Sequence, residues 1–166
     1  MEYRDLYDEN KNLTGLTIKK DYPVPNGYYY ITVMVFIENS QNEVLLQERS
    51  KEKGGAWATT GGHPKAGESS LEGMKTEIKE ELGVDVDLKE LVIFKTIKTE
   101  DDFVDLYYLR KDINLIDIKI QAEEVQNVNW FTKTQIEDMI KSGKFFKWHV
   151  DAYRDFLEYR MNQMEK

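Results

Sequence analysis

The sequence predicts an α+β domain in which a curved mixed β-sheet lies between α-helices, with an N-terminal β-hairpin alongside. Two observations carry this prediction. Strand-length runs rich in aromatic and β-branched residues alternate with helix-length amphipathic stretches. The length of 166 residues, with 40% hydrophobic and 12% aromatic content, supplies one core and is most simply a single domain spanning 1–166.

Taken in order, residues 2–7 and 13–19 flank Asp8-Glu-Asn-Lys11 and read as the opening hairpin. Pro23, Pro25 and Gly27 break that pattern. Residues 28–37 form a buried strand by composition, and Asn39-Ser-Gln-Asn42 turns it into a second strand at 43–47, a second hairpin. A polar loop at 51–55 leads to Trp57 and a glycine-rich segment. Ser69 followed by Glu72 reads as a capping box and Gly83 as the residue past a helix end. Between them Leu71, Met74, Ile78 and Leu82 form one apolar stripe. Residues 91–99 and 103–109 are strands around the acidic turn 100–102, and 128–131 is a short strand. Helices follow at 134–142 and 147–161, the second with Trp148, Ala152, Phe156 and Tyr159 on one side.

Glu77, Glu80 and Glu81 fall on one face of the helix after the glycine-rich loop, because offsets of three and four residues stack side chains over successive turns. Like charges at these spacings repel, by roughly 4 kcal/mol at 4 Å in a partly screened site. A divalent cation removes that cost, whereas a solvated acidic face is the plain alternative for glutamates in a good helix-forming context. Gly73 lies on the acidic side one turn before Glu77. A glycine there costs the helix about 1 kcal/mol, which implies close approach of something to its backbone.

The string from 62 to 84 resembles the Nudix box. Gly62, Glu68, Glu77, Ile78, Glu80, Glu81, Gly83 and Val84 stand at the spacing of that pattern, and Thr76 stands where the family has arginine. The resemblance implies the Nudix fold and metal-dependent hydrolysis of a diphosphate linked to another moiety. It implies magnesium (or manganese) held by Glu80 and Glu81, with Glu77 as ligand or as the catalytic base. Glu68 supports the site from the loop and is a further metal candidate, and Gly61 offers a backbone carbonyl. Gly62 admits close approach of metal or phosphate. Arg49 is a candidate phosphate clamp, and Glu124, or its neighbour Glu123, a candidate acidic group outside the box. Asp101, Asp102 and Asp105 are its rivals, the first two reading as a solvated turn. Trp57, Tyr28 and Trp130 are candidates to stack on a base, with core packing as the competing role. His149 reads as a packing residue.

Thr76 supports a contrasting reading, a catalytically silent nucleotide-binding Nudix domain, since a hydroxyl cannot supply the charge with which arginine orients a glutamate. Lys75, Lys79 or Arg49 are the cations within reach to compensate. A second resemblance, carried by residues 6–15, Trp57 and Gly62-His-Pro64, is to the isopentenyl-diphosphate isomerase branch of the same superfamily. That branch uses a loop cysteine and histidine metal ligands. Here Gly61 takes the cysteine's place, Tyr30 one ligand's, and no histidine precedes His63, so isomerase chemistry is not expected.

A net charge of −8 argues against a nucleic-acid polymer or an anionic membrane as partner and leaves a small-molecule diphosphate substrate. The chain has no cysteine, hence no disulfide or thiolate site. Without a basic-then-apolar leader pattern, the expected location is the cytoplasm. Exposed strands and the N-terminal hairpin leave a homodimer open. Specificity is expected from loops at 20–28, 48–57 and 98–105.

Overall fold

The computed structural model describes residues 2–165. The opening hairpin is present as β1 (Tyr3–Tyr7) and β2 (Leu13–Lys19), paired antiparallel. Its turn closes through Asp8, whose Oδ1 accepts from the backbone N–H groups of Asn10 and Asn12 at 2.9 Å each. Lys11 at the tip reaches back to the buried Asp105, with Nζ–Oδ1 at 2.7 Å, and ties the hairpin to the main body.

The main sheet has seven strands: β3 (Tyr30–Glu38), β4 (Val44–Arg49), β5 (Trp57–Ala58), β6 (Thr60–Gly62), β7 (Val92–Lys98), β8 (Asp102–Arg110) and β9 (Val125–Phe131). β3 and β8 run parallel from Tyr30↔Asp102 to Glu38↔Arg110, and the other pairings are antiparallel. The period-2 alternation along β3 sends Ile31, Val33, Val35 and Ile37 to one face. There they meet Met74, Ile78 and Leu82 of α1 (Ser70–Leu82). Phe36 faces the other way, into a core with Ile136 of α2 (Lys133–Lys141) and Ala152, Tyr153 and Phe156 of α3 (Val150–Met164). Phe36 stacks on Phe156 with ring centroids 4.8 Å apart. The mixed sheet therefore lies between helices, as the sequence predicts.

The expected second hairpin is joined only at its closed end, by Glu38↔Val44. Beyond that pair β3 and β4 splay apart. The segment 57–62 fills the wedge, pairing first with β4 through Trp57 and Ala58 and then with β3 through Thr60, Gly61 and Gly62. Threonines hold the crossing: the Thr59 hydroxyl donates to the Val35 carbonyl, and Thr60 Oγ1 donates to Gln47 Oε1 at 2.8 Å. Sequence reading misses these two short strands because Thr-Thr-Gly-Gly carries no apolar alternation. The splay is what opens the sheet into a cleft.

The last helix also begins later than its pattern implies. Residues Lys147–His149 make a single 3₁₀ turn and α3 starts at Val150, so Trp148 leaves the apolar side and is 71% exposed. Among the described residues no helix is long and apolar enough to cross a membrane.

Candidate active site

The loop and helix that carry the acidic triad are built as their local signals dictate. Ser69 Oγ accepts from Glu72 N–H at 3.1 Å while Glu72 Oε1 accepts from Ser69 N–H at 2.9 Å, and Gly83 ends α1 with φ 68°. The close approach expected at Gly73 is made by Pro64, whose Cγ would lie 2.6 Å from a Cβ placed there. Backbone bonds from Ala66 N–H to Tyr3 carbonyl at 2.7 Å, and from Gly67 N–H to Asp5 Oδ2 at 2.9 Å, seat the loop on β1.

Glu77, Glu80 and Glu81 open on a cleft of about 490 Å³ in the wedge between β3 and β4. Gly61, Gly62, Arg49 and Glu124 line the same cleft, so the sequence candidates converge from four separate segments. Gly62 lies directly against Glu77: an added Cβ would fall inside the Glu77 carboxyl and displace it. At Gly61 it would lie 2.6 Å from the Val33 carbonyl oxygen.

Glu81 is only 7% exposed. Its Oε1 accepts from Gln47 Nε2 at 2.7 Å, and its Oε2 is buried with no hydrogen-bond partner. The Glu77 carboxyl faces it, and burial pushes both groups well above the usual carboxylate range, with mutual repulsion adding to the effect on Glu81. Glu80 is more exposed and pairs with Lys65 at 2.6 Å. Although burial disfavours the Lys65 ammonium, Glu80 outweighs this and holds it above its ordinary value.

The chemistry of this donor set fits a divalent cation. It consists of hard carboxylate oxygens, one of them buried without a partner, held in protonation states that a positive charge would release. Among the described residues no three acidic or imidazole side chains form a preformed cage. That suits an ion such as magnesium, which takes much of its shell from water and phosphate.

Other candidates lie elsewhere. Glu68 does not line the cleft; its carboxylate accepts from Lys65 N–H at 2.8 Å and from Thr76 Oγ1 at 2.6 Å. Thr76, at the position expected to orient Glu77, therefore braces the loop, and the cation beside the glutamates is Lys65. Lys79 pairs outward with Asp85. Asp102 is buried, accepting from Thr32 Oγ1 at 2.6 Å, contrary to the solvated turn expected. Asp105, fully buried, serves Lys11, Ser70 and Thr96. Trp57 packs edge-on against Phe131, and Trp130 Nε1 donates to the Ile113 carbonyl, so neither faces the cleft.

Sequence reading missed Gln47, Lys65 and Phe146, which flank or line the site; His149, which packs against Phe146 as expected, also lines the cleft. Gln47 was legible as a lone amide closing the run Val44-Leu45-Leu46; Lys65 carries no such signal. The expected loop at 98–105 does not reach the cleft, while segments around Glu124 and Phe146 do.

The model of the NUDIX domain family matches residues 29–156. The chain belongs to the Nudix hydrolases. An uncharacterised Nudix hydrolase of Listeria monocytogenes is 33% identical over 150 residues, covering 87% of this chain and 88% of that one. An isopentenyl-diphosphate isomerase of Serratia proteamaculans is 28% identical over 170 residues, covering 97% and 93%. Among solved structures, DR0079 from Deinococcus radiodurans superposes with a TM-score of 0.73 at 23% identity, covering 90% of this chain and 94% of that one. The Nudix fold is thus shared, and a Nudix pyrophosphohydrolase that depends on a divalent metal ion is what the family membership establishes.

Proposed function

We propose that this Nudix hydrolase cleaves the phosphoanhydride of a nucleoside di- or triphosphate or a nucleotide derivative, with magnesium or manganese as its metal. The observation that carries this reading is the pair of facing, buried carboxylates, Glu77 and Glu81, at the head of a cleft rimmed by Arg4, Lys20 and Arg49. Glu80 and Glu81 would hold the ion, with Gln47 fixing the rotamer of Glu81. When bound, the ion supplies charge neutralisation and polarisation at the phosphoryl oxygens. Glu77 takes the proton of the attacking water. Its pKa, raised by burial, suits a base working near neutrality. The guanidiniums meet the phosphates. Glu124, paired to Lys53, adds a further carboxylate to the cleft.

The isomerase likeness extends to the scaffold and stops at the chemistry. No cysteine is present, and Gly61 stands where that branch carries its loop cysteine. A product-release screen, with products resolved by anion-exchange chromatography, over nucleoside diphosphates, nucleoside triphosphates, nucleotide sugars and prenyl diphosphates, with and without magnesium, tests the reading. Metal-dependent release that disappears in both Glu77→Gln and Glu81→Gln is expected. Interconversion of isopentenyl and dimethylallyl diphosphates, or release indifferent to both substitutions, would reject it.

A further inference from the structure

The cleft has two unlike ends. Near Glu77 lie Lys65 and Glu2, whose charges act on it, whereas Glu81 feels Glu124. On the Glu124 side, Arg49 closes β4 opposite Val125, and its guanidinium lies over the ring of Phe146, 3.9 Å from the centroid. Phe146 in turn meets His149 edge to face, with centroids 4.8 Å apart at 85°. Guanidinium, phenyl and imidazole form a wall of flat groups, and all three residues line the cleft. In this wall His149 Nδ1 is sealed from solvent and has no hydrogen-bond partner. Buried polar atoms are nearly always paired, so an orphan on a residue that lines the cleft points to a partner that arrives with the substrate.

We infer that His149 is a specificity-determining residue whose Nδ1 hydrogen-bonds the base of a nucleoside-linked diphosphate, set against the Arg49–Phe146 wall. The inference deepens the nucleotide reading above and rests on it. Burial, with the Arg49 charge adding, pushes the imidazole down to about 4, so it is neutral at pH 7. A neutral ring offers one donor and one acceptor, as does the edge of a base, and a base brings a π-face to match the flat wall. A prenyl chain brings neither. A phosphate can accept from a neutral ring N–H but brings no flat face to the wall, so the wall is what selects the base.

The chain contains two histidines, so imidazole ¹⁵N resonances of the labelled full chain are assigned by a single variant, His149→Phe. Metal-free protein is titrated with AMP, GMP, CMP and UMP, and separately with isopentenyl diphosphate and inorganic pyrophosphate. At least one nucleotide should displace the His149 Nδ1 resonance while isopentenyl diphosphate and pyrophosphate leave it in place. On the best nucleotide substrate of the release screen, His149→Phe should raise KM about tenfold with kcat within about twofold, and His149→Asn, whose amide reaches the Nδ1 position, should restore most of it. No response to any nucleotide, or an equal response to pyrophosphate, overturns the inference. A nucleotide response without any metal-dependent turnover would keep the base site and reject the hydrolase reading instead.

Discussion

Glu77 is placed by subtraction as much as by attraction: Gly62 leaves room for its carboxyl, and burial, with the charge of Glu80 adding, raises its pKa. Replacing it with glutamine keeps the shape and removes the proposed base. Glu77→Gln is expected to lower kcat by at least about 10² while manganese binding, read by calorimetry, persists. Its electrostatic neighbour is Lys65, so the lost box arginine has a substitute that arrives from the loop. Lys65→Met removes a positive charge that favours ionised Glu77, so the base's pKa rises and the acidic limb of kcat/KM moves to higher pH. Thr76→Arg, whose position serves Glu68, is expected to leave turnover within about threefold of wild type, well short of the tenfold or more that a new charge-assisted hydrogen bond to the base would bring. A pH–rate series on the three proteins separates the two residues. A gain of tenfold or more in Thr76→Arg would return the orienting role to that position.

At the level of elements, α1 and the loop before it show why some features were readable in the chain and others were not. The capping box, the apolar stripe and Gly83 are local devices, and each formed where its residues stand. The acidic triad was equally legible, since helical periodicity alone puts it on one face. What crossed the fold was hidden: β5 and β6 have no alternation of their own, and Phe146 comes between Arg49 and His149 beside a bridge of Trp57 to Phe145, residues about ninety positions apart that no local pattern pairs. Gly73 sits between these cases, its need for space readable and its partner, Pro64, not. Two effects oppose each other in Gly73→Ala: helix propensity favours alanine by about 1 kcal/mol, and overpacking against a proline ring and its backbone costs about 1–3 kcal/mol. With Pro64 Cα 2.9 Å from the added Cβ as well as the ring, the clash wins. Urea denaturation should show net destabilisation, together with weaker metal binding if the loop shifts. A more stable Gly73→Ala would mean that the loop yields freely.

For the whole molecule, the site is a standing electrostatic burden that its ion relieves. A carboxyl whose folded pKa lies above its unfolded value binds more protons in the native state, so stability falls as pH rises past the ordinary value of 4.5 toward the raised one. Both Glu77 and Glu81 act in this direction. Below 4.5 both states are protonated at these groups and the pH dependence vanishes, although carboxylates held low by a paired cation, such as Glu90 by Lys111, then begin to lose their contribution. In EDTA the melting temperature should therefore decline from about pH 5.5 to pH 8. A divalent cation binds the ionised pair and reverses the slope: at 100 times its Kd it adds about 2.7 kcal/mol, or roughly 5–10 °C for a domain of this size. The gain should be large at pH 8 and small at pH 5, where protons compete for the same oxygens. Glu81→Gln should remove the larger part of the decline, leaving the share of Glu77, and most of the magnesium response, since it removes the more buried charge of the pair. Thermal scans of wild type and Glu81→Gln across pH, with and without magnesium, make the comparison. A magnesium gain that is equal at pH 5 and pH 8 would place the ion away from these glutamates and dissolve the link between the acidic helix face and the cleft.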